Sequence, residues 1–253
     1  IYKHIIKMKI IFTQFVNKTN NLDKLLITLT LFFPFLLSIS IFFADLFASI
    51  SALIILCLFF FKENKKIFSK IKSEVYFFLI FYLIILISLI FSSSFEKSFL
   101  PSFFYFRYFL FAVGVYYLLE KYSFFSNMIF YSLILSFSVI TTDALIQLIF
   151  KKNILGYSLG FDGTIFVTSF FDQEKKLGSY LVRFLPMILG LCFFFDLKKY
   201  SKYIVLVVGI FIFLSSERAA LFLYMIILFF YFCIIKNKIK IMTIFLLIFS
   251  IVF

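Results

Sequence analysis

Long apolar runs alternate with short polar breaks along almost the whole chain, and that alternation predicts its elements. A helix needs roughly 20 residues to cross the hydrocarbon of a bilayer. Runs near that length predict spans at 25–43, 46–61, 75–91, 99–119, 127–149, 178–195, 203–215 and 219–235, with a ninth from 241 to 253. None alternates with the period of two that a barrel strand requires, so the pattern predicts helices. The expected fold is an all-α integral membrane protein, a polytopic helical bundle of about nine spans forming one multi-pass domain over 1–253. The chain opens on Ile1 and closes inside its last apolar run, and it reads as a fragment open at both ends.

Composition agrees with this picture. The 253 residues are 64% hydrophobic, with a mean hydropathy of +1.13, above what a soluble domain carries. The net charge of +13 would suit nucleic acid, but the lysines sit in short breaks between apolar runs, which argues for membrane lipid and against a nucleic-acid partner. With the N-terminus placed in the cytoplasm, inner segments hold 17 Lys and Arg residues and outer ones 6, the bias expected of a membrane protein. Segment 151–177 then becomes the one sizeable outer loop. The basic opening, with His4 as the only histidine, reads as a cytoplasmic, interfacial lead-in, because no small-residue cleavage site follows it. Cys57, Cys192 and Cys233 fall inside apolar runs and are expected as buried small apolar residues, with no disulfide or metal role.

Arginine is scarce, 3 against 22 lysines, and on this topology Arg107, Arg183 and Arg218 all fall in the outer half. Asp143 and Gln147, four apart on one helical face, approach the same side. A guanidinium binds phosphate bidentately where lysine acts as a point charge, so the set predicts an outer-facing anion site. The plainer reading has Arg183 and Arg218 snorkelling to the interface and Arg107 paired with Asp143 for packing. The predicted seventh span, 203–215, is only 13 residues, roughly 20 Å of helix. The chain should therefore turn near Ser215–Arg218, and the next helix should start there with free N–H groups. Glu217 would orient Arg218 or face water. Loop 151–177 carries Gly156, Gly160 and Gly163 with Asp162, Asp172 and Glu174, without the spacing of a metal site; no metal or cofactor is expected.

Four stretches taken together resemble a known family. RYFLFAVGVYYLL (107–119), TTDALIQLIFKKNILGY (141–157), SFFDQEKKLGSYLVRFLP (169–186) and LSSERAALF (214–222) follow one another as in the O-antigen ligase and O-antigen polymerase superfamily of bacterial envelope proteins. The resemblance implies a glycosyltransferase of lipopolysaccharide biosynthesis in the bacterial inner (cytoplasmic) membrane, active at the periplasmic face and independent of metal. An undecaprenyl-pyrophosphate glycan would be the donor. Lipid A–core would be the acceptor for a ligase, and another repeat unit for a polymerase. By motif, Arg218 matches the family's Ser-x-Arg arginine and takes the catalytic, pyrophosphate-gripping role, with Arg183 assisting. Arg107, Asp143, Gln147 and Glu217 complete the expected substrate-binding set. The family's late-loop histidine has no counterpart before Phe253, so this stretch alone is expected to be inactive.

Two other classes of function compete. A secondary transporter or flippase would also carry outer arginines and broken helices, often with inverted repeats, and none relates 25–119 to 127–235. A non-catalytic scaffold would use the arginines as lipid-headgroup anchors.

Overall fold

Lys72–Ile90 shows what kind of solvent the chain is built for. This 19-residue helix is apolar around its whole circumference, and almost none of it is buried against protein; Phe77, Ile80, Ile84 and Ile87 all stand exposed. In water such a surface would not persist, whereas in hydrocarbon it needs no cover. The computed structural model describes residues 13–17, 19–60, 69–92, 94–163, 165–172 and 174–235. His4 and the predicted span from 241 lie outside them. Among the described residues six helical stretches are long and apolar enough to cross a membrane: Asn21–Ile39, Ile41–Phe59, Ser69–Ile90, Phe95–Lys121, Phe125–Phe150 and Leu177–Phe194. The chain is a mostly helical, multi-span candidate membrane protein.

The chain packs as two compact units, 1–133 and 134–253. In the first, helices α1 (Asn21–Ile39), α2 (Ile41–Phe59) and α5 (Phe106–Lys121) pack on one another, while α3 (Lys72–Ile90) pairs with the short α4 (Phe95–Phe103). Ala44, Ala48, Ser51 and Ala52 line the buried face of α2, and a Cβ on Gly114 of α5 would stand 3.0 Å from Ile55. Small residues let these backbones approach closely, as membrane helices require when lipid tails compete with side chains for apolar contact.

Three boundaries differ from the sequence expectation. The α1–α2 break lies at Ser40, in extended backbone (φ −155°, ψ 123°), and not at 44–45. Asp45 is therefore inside α2, where an ion pair with Arg107 holds it. The predicted fourth span is two helices, α4 and α5, separated at Phe104–Tyr105. The helix expected over 203–215 is α8, Lys198–Leu214, 17 residues and roughly 26 Å long. It takes in Lys198, Lys199 and Lys202, whose stems suit a helix while their ammonium groups reach for water. Of the three cysteines only Cys192 is buried; Cys57 and Cys233 are exposed, a position open to any apolar residue on a lipid-facing surface.

A buried carboxylate closes the end of the first unit. Asp23, fully buried, pairs with Lys121 (2.8 Å) and accepts hydrogen bonds from Tyr122 (2.6 Å) and Tyr117 (3.2 Å). Tyr122→Phe removes one charge-assisted bond without leaving Asp23 bare, and should cost about 1.5 kcal/mol, read as a lowered Tm in detergent.

The second unit contains the end of α6 (Phe125–Phe150), then α7 (Leu177–Phe194), α8 and α9 (Arg218–Ile234), with α7 against both α8 and α9. Tyr224 of α9 donates to the Val205 carbonyl (2.8 Å) through the space left by Gly209. Between α6 and α7 the chain forms a small hairpin, β1 (Gly160–Phe161) antiparallel to β2 (Ile165–Phe166), with Gly160 opposite Phe166 and Phe161 opposite Ile165. A single 3-10 turn, Ser169–Phe171, precedes α7.

Candidate functional site

Asp143 and Gln147 share one face of α6, are 0% exposed, and reach together into the following loop. The Gln147 Oε1 accepts from the backbone N–H of Thr168 (2.9 Å) and Ser169 (2.8 Å). Its Nε2 donates to the Thr168 hydroxyl (2.9 Å) and the Ser158 carbonyl (3.0 Å). Asp143 accepts from the Ile154 N–H (3.0 Å), the Ser169 hydroxyl (2.7 Å) and the Asn153 amide (3.3 Å). Asn153 in turn donates to the Ser169 carbonyl (2.8 Å) and accepts from the Tyr157 N–H (2.7 Å). Among the described residues Asp143 has no cationic partner, and its burial is tolerated because three donors converge on it. In this arrangement no ligand can reach Asp143 or Gln147; they hold the loop.

The loop hands this order on to the turn between α8 and α9. The Val167 N–H donates to the Leu214 carbonyl (3.0 Å), the last residue of α8. Ser215, fully buried, bonds back to the Ile212 carbonyl (2.7 Å). Ser216 takes a left-handed conformation (φ 52°), as do Lys151, Ser169 and Asp172 in the loop. Such residues each cost about 1 kcal/mol or more and persist only where their surroundings over-determine them.

Glu217 makes neither of the contacts expected from sequence. It precedes α9 without capping it, and instead caps α7: its Oε2 accepts the Ser179 N–H (2.7 Å) and its Oε1 the Ser179 hydroxyl. That carboxylate satisfies an otherwise free N–H of the first turn and complements the positive end of the helix. Gly178 makes the approach feasible, since a Cβ there would lie 2.5 Å from the Ser215 hydroxyl and 2.9 Å from the Ala220 methyl. Gly178→Ala should therefore push the turn off α7. The expected result is a Tm lowered by about 2 kcal/mol equivalent, with faster proteolysis at the turn.

With Glu217 engaged on α7, Arg218 begins α9 exposed, with no hydrogen-bond or ion-pair partner among the described residues. Arg183 is likewise exposed and unpaired among them. It lies one helical turn along α7 from Ser179, on the same face. No family model, curated protein or solved structure matches the chain. The site therefore stands on its own geometry.

Arg107 differs from the other two arginines. It belongs to the first unit, pairs with Asp45 (2.9 Å) and donates to the Tyr108 hydroxyl (2.9 Å), which itself donates to Asp45 (2.6 Å). The alternative of an Arg107–Asp143 pair is not what forms: Arg107 pairs with Asp45 in the first unit, although its buried Nε has no hydrogen-bond partner among the described residues, and Asp143 is bonded within the second unit. The acids of the loop also have local uses. Lys175 stands 2.7 Å from Asp162 and holds its carboxyl below the usual range, and Glu174 pairs with Lys176. Sequence reasoning missed Asn153, Thr168, Ser169 and Ser179. Asn153 and Ser179 stand near predicted helix ends, where short polar side chains serve as caps and turns, whereas Thr168 and Ser169 lie in mid-loop without such a signal.

Proposed function

We propose that the chain is that of an O-antigen ligase-like glycosyltransferase, which takes a glycan from undecaprenyl pyrophosphate and delivers it to lipid A–core at the periplasmic face of the bacterial inner membrane. The finer topology belongs to this proposal: nine spans, a cytoplasmic N-terminus, and loop 151–177 on the periplasmic side. The observation that carries it is that Arg218 and Arg183 are exposed and unpaired among the described residues. Arg218 follows a turn held by its own hydrogen bonds and Arg183 lies one helical turn along α7 from Ser179, while Glu217 is spent on α7, so that neither guanidinium has an acidic partner among the described residues.

The chemistry fits that arrangement. Transfer breaks the bond between the anomeric carbon and the pyrophosphate oxygen, whose electron pair leaves with the pyrophosphate, and forms one to the acceptor hydroxyl oxygen, whose proton is released to water. Negative charge collects on the departing pyrophosphate, and preplaced guanidinium groups stabilise it most where it is greatest, in the transition state. Arg218 grips the pyrophosphate and Arg183 assists. Asp143, Gln147 and Glu217 are positioning residues. Arg107, balanced by Asp45, is left out of the pair. Further support comes from the motif stretches: TTDALIQ, SFFD, LGSYL and SSERAAL meet in one unit through side chains that the motifs themselves contain.

The test is transfer from a defined lipid-linked donor in proteoliposomes carrying the natural full-length protein. Glycan joined to lipid A–core supports ligation, and joining to a second repeat unit supports the polymerase of the same superfamily. Movement of donor across the bilayer without a new glycosidic bond would replace the proposal with a flippase.

A further inference from the structure

The loop between α6 and α7 divides its apolar residues unevenly. Asn153, Thr168 and Ser169 are buried on Asp143 and Gln147 together with Phe166 and Val167, whereas the large apolar side chains of the loop's tip face outward. Phe161 is 76% exposed, its cross-strand partner Ile165 68%, and Ile154 65%. In water the opposite distribution is favoured, because each exposed large side chain forgoes about 2 kcal/mol of burial. Exposure here does not come from looseness, since the buried network fixes the segment from both sides.

We propose that the tip of this loop, residues 154–163 and Ile165, is immersed in the headgroup–acyl boundary of the bilayer instead of standing in water. Three further observations favour lipid over another protein as the occupant. First, the loop leaves α6 directly after Ile149 and Phe150, which are themselves exposed apolar residues at a helix end, so Ile154 lies only four residues from a lipid-facing surface. Second, exposed Lys151 and Lys152 stand at that junction, where basic side chains meet anionic headgroups. Third, the one carboxylate at the hairpin tip, Asp162, is neutralised by Lys175, which removes the charge most costly to bring against an anionic surface. Non-helical backbone at that depth is tolerated where its polar groups are satisfied by protein, and the Asp143–Gln147 network supplies that satisfaction. This inference rests on the loop's polarity and stands apart from the glycan chemistry proposed above.

The chain contains no tryptophan, so a single introduced indole reports without background. Phe161→Trp and Ile165→Trp proteins, with Glu174→Trp as the solvent-facing comparison, would be reconstituted in vesicles of phosphatidylcholine and phosphatidylglycerol. The indole at 161 should emit blue-shifted light. Lipid brominated near the top of its acyl chain should quench it several-fold more than the indole at 174, and aqueous iodide should do the reverse. The position 165 protein guards against a local packing artefact and should behave like 161. Equal iodide quenching at 161 and 174, without bromolipid quenching, would place the tip in water and overturn the proposal. Shielding from both quenchers that disappears when the protein is diluted in excess lipid would assign the surface to a second copy, and would equally overturn it.

Discussion

Arg218→Ala should lower glycan transfer by about 100-fold or more while leaving the fold intact, because on the proposed function what it removes is charge stabilisation realised in the transition state. The two halves of that expectation come from different observations. Arg218 is exposed and bonded to nothing among the described residues, so truncating it removes no internal contact, and stability should move by no more than about 0.5 kcal/mol. Arg218→Lys should fall between: the charge stays, the bidentate fork is lost. Arg183→Ala should lose less than Arg218→Ala. If both guanidinium groups hold one pyrophosphate, the double variant should lose less than the product of the single losses. Arg107→Ala should behave in the opposite way, lowering Tm by leaving Asp45 without its cation and affecting transfer only in proportion. The measurement is initial transfer rate against Tm for each variant in the same vesicles. Full activity in both Arg218→Ala and Arg218→Lys would remove the residue from the mechanism.

That contrast also shows what was legible in the sequence. Helix positions were readable because apolar runs of span length are bounded by lysines, and α6, α7 and α9 start and end within two residues of their predicted limits. The errors arose where a polar residue was read as a break. Asp45 looked like the turn between two spans, yet it lies in the second turn of α2 and pairs with a distant arginine, and the true break falls on the less conspicuous Ser40. The split at Phe104–Tyr105 has no glycine between its helices; the signal it did carry, Pro101 and Ser102 just before it, was read through as part of one span. The Asp143–Gln147 spacing was readable as a shared face, because helical geometry is local. Its partners were not, since Thr168 and Ser169 lie 21 and 22 residues along and are brought there by the loop. Glu217 was undecidable for the same reason, with its partner Ser179 38 residues away. Periodicity carries information about faces, whereas pairing across the fold is a property of tertiary structure alone.

The second large effect should come from a residue that touches no substrate. Gln147→Leu keeps the volume of the side chain and removes its hydrogen bonds, which strands the buried N–H groups of Thr168 and Ser169. Each stranded buried donor costs on the order of 1–3 kcal/mol, so a loss of about 3 kcal/mol or more is expected. Gln147→Glu should fare no better: the acceptor oxygen survives, but the second oxygen would face the Ser158 and Tyr157 carbonyls that the amide now serves. Asp143→Leu should resemble Gln147→Leu, and because the two side chains meet on Ser169 the pair should be strongly non-additive. Hydrogen exchange would localise the damage. Protection should vanish first at Ile154, Thr168 and Ser169, then at Val167, whose N–H ties the loop to Leu214 at the end of α8. Once that tie loosens, Ser215 to Arg218 lose one of their two anchors, the other being Glu217 on Ser179. Transfer should then fall even though both arginines remain, with a rise in donor KM as the arginines cease to be held at one spacing. Unchanged exchange at Thr168 and Ser169 in Gln147→Leu would show that the loop is held by its apolar packing and that the polar clamp is incidental.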